Sequence, residues 1–127
     1  GASEGAGLGD RFLRHVERTK LNLHLVDVSS LSGRDPVEDY RVINRELANY
    51  SPEIAARPQI VVATKIDALD EPERLEALRE AAEADGRQFI EISSAANKNI
   101  KELVAMVARK LDEIKQEEIE IRLAEHG

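Results

Sequence analysis

Three short apolar runs, Leu21–Val28, Gln59–Ala63 and Gln88–Ile92, are each followed by a stretch whose apolar residues recur at helical spacing. Strands that alternate with helices of ten or more residues are joined by crossovers, and right-handed crossovers join parallel strands. The second run is the most telling, because Ile60, Val61 and Val62 leave it no polar face, as expected of a strand covered on both sides. The chain therefore reads as an α/β domain with a parallel sheet flanked by helices. In open sheets of this kind, ligands sit beyond the carboxyl ends of the strands.

Turn and cap residues place the helices. Asp35-Pro36 opens one, because proline at the first helical position lacks a donor that would have no partner there anyway. Val37, Tyr40, Ile43, Asn44, Leu47 and Tyr50 mark its inner face, and Pro52 and Pro58 bracket a short irregular or helical extension. Asp70-Glu71-Pro72 opens a second helix with Leu75, Leu78 and Ala82 inward, closed by Gly86. Ile100, Leu103, Val104, Val107, Leu111 and Ile114 mark a third. At the front, the glycine-rich Gly1–Gly9 reads as a mobile loop, and Leu8, Phe12, Leu13 and Val16 predict a helix over about residues 9–19. Residues 1–115 thus form one domain and residues 116–127 a charged tail. In that tail Ile119, Ile121 and Leu123 alternate, leaving helix continuation and an extended segment both open; the Asp112–Glu120 charges read as a solvated helix face.

Composition removes several classes of function. Aromatic residues make up 3% of the 127, so the core must be aliphatic, and no apolar run is long enough to span a bilayer. The N-terminus lacks the basic-then-apolar order of a signal peptide. The absence of cysteine excludes disulfides and thiolate metal sites and fits a reducing cytoplasm. A net charge of −7 argues against gripping a phosphate backbone. His15 and His24 have no partners at ligand spacing, so each reads as a packed or surface histidine. Gly5, Gly7 and Gly9 are spaced as in a dinucleotide fingerprint, but no strand precedes them and that reading fails.

Two strings at successive strand ends carry the chemistry. Thr64-Lys65-Ile66-Asp67 follows the second run, and Ser93-Ser94-Ala95 follows the third. Guanine differs from adenine by offering two adjacent donors, the ring N1–H and the exocyclic amino group, beside a carbonyl. Asp67 could accept from both donors, a backbone N–H at Ser94 could meet the carbonyl, and the Lys65 stem could lie along the base face. Thr64 would tie the loop to neighbouring backbone. A Lys-x-Asp after a strand also arises by chance, with Asp67 then capping a turn ahead of Pro72. The two loops together, in order, favour guanine. Asp27, at the end of the first run, reads as a turn residue.

The residues also resemble a known family. The string Gly1-Ala2-Ser3-Glu4-Gly5-Ala6-Gly7-Leu8-Gly9-Asp10-Arg11-Phe12-Leu13-Arg14-His15-Val16-Glu17-Arg18-Thr19 resembles, nearly residue for residue, switch II and the following helix of the Obg family of GTPases. Gly33-Arg34-Asp35-Pro36-Val37-Glu38-Asp39-Tyr40 is a second family-like string. Arg57-Pro58-Gln59-Ile60-Val61-Val62-Ala63, leading into the Lys-x-Asp box, is a third. The likeness runs from Gly1 to about Leu111.

That resemblance implies part of a three-layer, P-loop-NTPase-like G domain: three parallel strands with flanking helices, the N-terminal half lying outside the sequence. Thr64, Lys65 and Asp67 match the guanine-specificity box, usually Asn-Lys-x-Asp; Thr64 departs from it, implying weaker affinity with specificity kept by Asp67. Ser93, Ser94 and Ala95 match the last G motif, where Ser-Ala is commoner; Ser94 acting through its backbone makes that change minor. Gly1, Ala2, Ser3, Glu4 and Gly5 would be a switch II remnant responding to the γ-phosphate. The resemblance assigns no catalytic residue and no metal ligand to this chain. The phosphate loop, the switch I threonine and an Asp-x-Pro-Gly ahead of Gly1 would lie outside it, and with them Mg2+ and hydrolysis. The implied ligands are GTP and GDP, the implied partner is the ribosomal large subunit or its precursors, and the implied place is the cytoplasm. These residues alone are expected to be hydrolytically inactive. Without a neighbour, the Leu21–Val28 strand would be an open parallel edge, giving marginal stability or self-association. Two rivals remain: a non-catalytic half-domain that binds protein partners, and an unrelated flavodoxin-like binding domain.

Overall fold

Asn22–Asp27 (β1), Gln59–Thr64 (β2) and Gln88–Glu91 (β3) form one sheet in the order β1-β2-β3, with both pairings parallel. The computed structural model describes residues 20–126. The glycine-rich loop, the helix expected over residues 9–19, the switch II residues Gly1, Ala2, Ser3, Glu4 and Gly5, and His15 lie outside them. Pro36–Tyr50 (α1) and the short Pro52–Ala55 (α2) connect β1 to β2; Pro72–Ala84 (α3) connects β2 to β3; Ile100–His126 (α4) follows β3. The Asp35 side chain caps α1 by accepting from Val37 N at 3.0 Å, with Pro36 behind it. Gly86 takes φ 73° after α3, the left-handed step that glycine makes without steric cost.

β2 is the centre. Ile60, Val61, Val62 and Ala63 are wholly inaccessible to solvent, as the unbroken apolar run predicts. One face packs Val61 and Ala63 with Val26, Val28, Tyr40 of α1 and Leu78 and Ala82 of α3. The other packs Ile60 and Val62 with Leu21, Ile90 and Ile92 under Ile100, Leu103, Met106, Val107 and Ile114 of α4. This is the three-layer arrangement expected of the partial G domain. Covering each large aliphatic side chain in this way contributes about 1.5–3 kcal/mol.

Some details differ from the sequence reading. Val104 and Leu111 are exposed, because α4 presents a narrower stripe than its six predicted face residues suggest. The final segment continues α4 as helix, and Glu118 reaches back to Lys20 Nζ at 2.6 Å. β1 is an edge strand among the described residues: Leu23 and Leu25 are exposed on the α4 side, while Asn22, His24 and Val26 are buried.

His24 is a packed histidine. Its ring stacks on Tyr40 with centroids 5.4 Å apart, and Nδ1 lies 3.3 Å from Gln59 Oε1. Burial holds its pKa below the ordinary histidine value, outweighing the Gln59 hydrogen bond that favours the charged form. An unfolded chain takes up the proton first, so the neutral ring's contribution to stability is present above the unfolded pKa of about 6.5 and is lost as pH falls below it. The midpoint of urea unfolding should drop between about pH 7.5 and about pH 5.5, and the drop should shrink in His24→Phe. An equal drop in that variant would assign the pH dependence elsewhere.

Candidate functional site

Both predicted loops lie at the carboxyl edge of the sheet and touch each other. Thr64 ends β2, and its carbonyl accepts from Val28 N at 3.3 Å. The tie to neighbouring backbone is thus made by the Thr64 main chain; its hydroxyl makes no hydrogen bond among the described residues. Lys65 then takes a left-handed backbone (φ 61°, ψ 36°), which swings the chain into a 3-10 turn, Ile66–Ala68. Asp67, on that turn, meets the next strand's loop. Ser93 Oγ donates to Asp67 Oδ1 at 2.6 Å and accepts from Ala96 N at 3.0 Å. Ser93 is fully buried, so this hydroxyl is a fixed strut between the loops.

The second loop closes on itself. Ser93 N donates to Lys98 O at 3.1 Å, and Lys98 N donates to Ser93 O at 2.8 Å. Asn97 and Asn99 take positive φ of 52° and 62°, a conformation that asparagine tolerates better than most residues. Asn99 Nδ2 donates to Glu91 O at 2.8 Å and anchors the loop to the end of β3. Ser94 and Ala95 are exposed at the tip, and their N–H groups have no acceptor among the described residues.

Asp27, with its partner Ser29, and Arg74 join the site although the sequence reading did not place them there. Asp27 makes the expected turn, accepting at Oδ1 from Ser29 N at 2.8 Å and Ser29 Oγ at 2.7 Å. Its other oxygen pairs with Lys65 Nζ at 3.2 Å. Burial raises the Asp27 carboxyl, but the Ser29 hydrogen bonds and the Lys65 ammonium outweigh it and hold the group below the usual carboxylate range. Arg74 fastens the β1 loop from the first turn of α3, donating to Val28 O at 3.0 Å, to Ser29 O at 3.2 Å and to Arg34 O. The signal for Arg74 was an arginine two residues inside a Pro-opened helix, too common a pattern to single out.

Chemically, this edge offers a rigid carboxylate beside free amide donors and a long cationic stem. A planar ligand edge bearing two donors and an acceptor would match these groups. Among the described residues no cluster of His, Cys, Asp or Glu is arranged to hold a metal ion, and no helix is long and apolar enough to cross a membrane.

Comparison with known proteins gives this geometry a family. No family model matches the chain. The GTPase Obg of Syntrophotalea carbinolica is 54% identical over 115 residues, covering 91% of this chain and 32% of that protein. The GTPase Obg of Solibacter usitatus is 55% identical over 103 residues, 81% of this chain and 31% of that protein. That of Acetivibrio thermocellus is 48% identical over 114 residues, 90% and 27%. The chain belongs to the Obg family. It spans about a third of the length of these Obg relatives.

In this Obg-family chain the Ser93 strut is the contact to break. Ser93→Ala removes the buried hydroxyl that joins Asp67 to the Ala96 N–H; both partners lie at the exposed edge, where water can replace it, so the cost is about 1 kcal/mol. Thermal and urea unfolding should show that loss, with Ser94→Ala within about 0.5 kcal/mol of the parent. Equal effects at the two positions would mean that the strut does not hold the site together.

Proposed function

We propose that this chain carries the guanine-reading edge of a GTP-binding protein that hydrolyses GTP to GDP and phosphate and acts in assembly of the ribosomal large subunit in the cytoplasm. One observation carries the reading. Asp67 and Ser93 are joined at 2.6 Å across adjacent strand ends, beside a Ser94 N–H that has no acceptor among the described residues.

The roles follow from donor and acceptor chemistry. Asp67 keeps Oδ2 free of any hydrogen bond among the described residues, and Oδ1 retains a lone pair beyond the one given to Ser93. The carboxylate can therefore accept from the N1–H and the 2-amino group together. The Ser94 N–H, with Ala95 beside it, meets the guanine carbonyl. Lys65 lays its stem on the base face with its charge at the end. Adenine presents the opposite pattern and would leave these groups unpaired, which is the strongest form of exclusion a binding site has.

Thr64 stands where an amide would bind more firmly, so affinity falls while Asp67 keeps specificity. GTP and GDP are the ligands in this reading. Phosphate cradling, Mg2+ and hydrolysis belong to the phosphate-loop half of the G domain, and Gly1, Ala2, Ser3, Glu4 and Gly5 serve as switch II toward the γ-phosphate. These 127 residues alone hydrolyse no GTP in this reading. The similar proteins are GTPases Obg, which supports the GTP-binding part of this reading.

The test is Asp67→Asn in a protein that carries this segment together with its phosphate loop. Xanthine has an acceptor at position 2 where guanine has a donor, and the asparagine amide supplies a donor. Preference should move from GTP to XTP by more than about tenfold, as expected when bonds worth about 1.5–3 kcal/mol each change sides. An unchanged preference for GTP over XTP would remove Asp67 from the reading role.

A further inference from the structure

Lys65 has two features that base recognition alone does not explain. Its backbone is left-handed, a conformation that a residue with a side chain keeps only where its surroundings hold it. Its ammonium is also committed, at 3.2 Å, to Asp27 Oδ2 at the end of the neighbouring strand.

The Asp27 carboxylate is itself tethered. Ser29 N–H and Ser29 Oγ–H both fix Oδ1, which leaves Oδ2 turned to Lys65. The loop bearing Ser29 is held in turn by Arg74 through Val28 O and Ser29 O, and by Ser30 Oγ donating to Asp70 Oδ2 at 2.7 Å. A lysine side chain that is 62% exposed would otherwise sample many rotamers, and ordering it on binding would cost affinity. Here the order is already present.

We propose that Asp27 is a positioning residue for base recognition: it holds the Lys65 ammonium at the β1 edge so that the Lys65 stem is laid out across the guanine face before the base arrives. This rests on the guanine reading given above. It extends the recognition apparatus from two strand ends to three, and it makes the loop after β1 part of the site. Asp27 touches no ligand; it acts through Lys65. Discrimination between bases stays with Asp67, so loss of Asp27 weakens binding without changing which base is chosen.

The experiment is a double-mutant cycle on nucleotide affinity, in a protein that carries this segment with its phosphate loop. Asp27→Asn is the right change, because its amide oxygen still accepts from Ser29 while the charge facing Lys65 is gone. Dissociation constants for GDP and ADP are measured for Asp27→Asn, Lys65→Met and the double variant. Asp27→Asn should weaken GDP about fivefold, the upper end for an exposed ion pair, and leave rejection of ADP intact. In the Lys65→Met background it should have no further effect, and Asp27→Glu should recover part of the affinity. An equal Asp27→Asn effect with and without Lys65 would overturn the proposal, since the residue would then act through the turn alone. So would unchanged GDP affinity in Asp27→Asn when Lys65→Met weakens it. If Lys65→Met and Asp67→Asn both leave guanine affinity untouched, the guanine reading itself fails and this proposal falls with it.

Discussion

The closed burial of β2 governs the rest of the molecule. Four consecutive residues, Ile60 to Ala63, are sealed from solvent on both faces, so helices must cover both sides of the sheet. Parallel pairing in register then sets the strand ends beside one another. Asp27 lies opposite Thr64, and Ile92 N donates to Ala63 O at 2.8 Å just beyond β3. Ile66 N reaches Ile92 O at 3.4 Å, so the chain leaving β2 bends over the chain leaving β3. The meeting of Asp67 with Ser93 is a consequence of that stacking. A change of volume at Val62 or Ala63 would be felt at the site, because close-packed interiors transmit such changes.

At the carboxyl edge the ladder ends and the backbone needs other partners. The chain supplies them with short polar side chains: Ser29 and Asp27 after β1, Ser93 and Asn99 after β3. Strain gathers in the same place. The non-glycine residues with positive φ among the described residues are Lys65, within the predicted Thr64–Asp67 string, and Asn97 and Asn99, just beyond Ser93–Ala95 in the same loop. Lys65 is the unexpected one, since asparagine enters that region far more readily than lysine. Backbone strain concentrated at one edge, with the buried Ser93 beneath it, is an arrangement that a preorganised binding surface would use.

Much of this was legible in the sequence, for identifiable reasons. The strands were legible because Ile60-Val61-Val62 has no polar face, and the helices because Pro36 and Pro72 mark their starts. The position of Asp67 and Ser93–Ala95 followed from strand order alone. The direct Asp67–Ser93 bond did not, because no pattern in the residues states which of two adjacent serines points inward. Burial decides it: Ser93 is sealed and Ser94 is exposed. The Asp27–Lys65 pair was hidden for a different reason. The two residues belong to separate strands, and only the register of β1 on β2 brings them within 3.2 Å. The helical course of residues 115–126 was undecidable from alternating Ile119, Ile121 and Leu123, which suit a strand as well as a helix.

The most direct test of base reading at this edge is an amide NMR titration of the chain itself, with GDP and ADP compared at equal concentration. With GDP, shifts should gather in Lys65–Leu69 and Ser93–Asn97, with Ser94 N–H prominent among them, and ADP should leave both loops unmoved. Equal responses to the two nucleotides, or GDP shifts that miss both loops, would contradict a guanine-reading edge built from Asp67, Ser93 and Ser94.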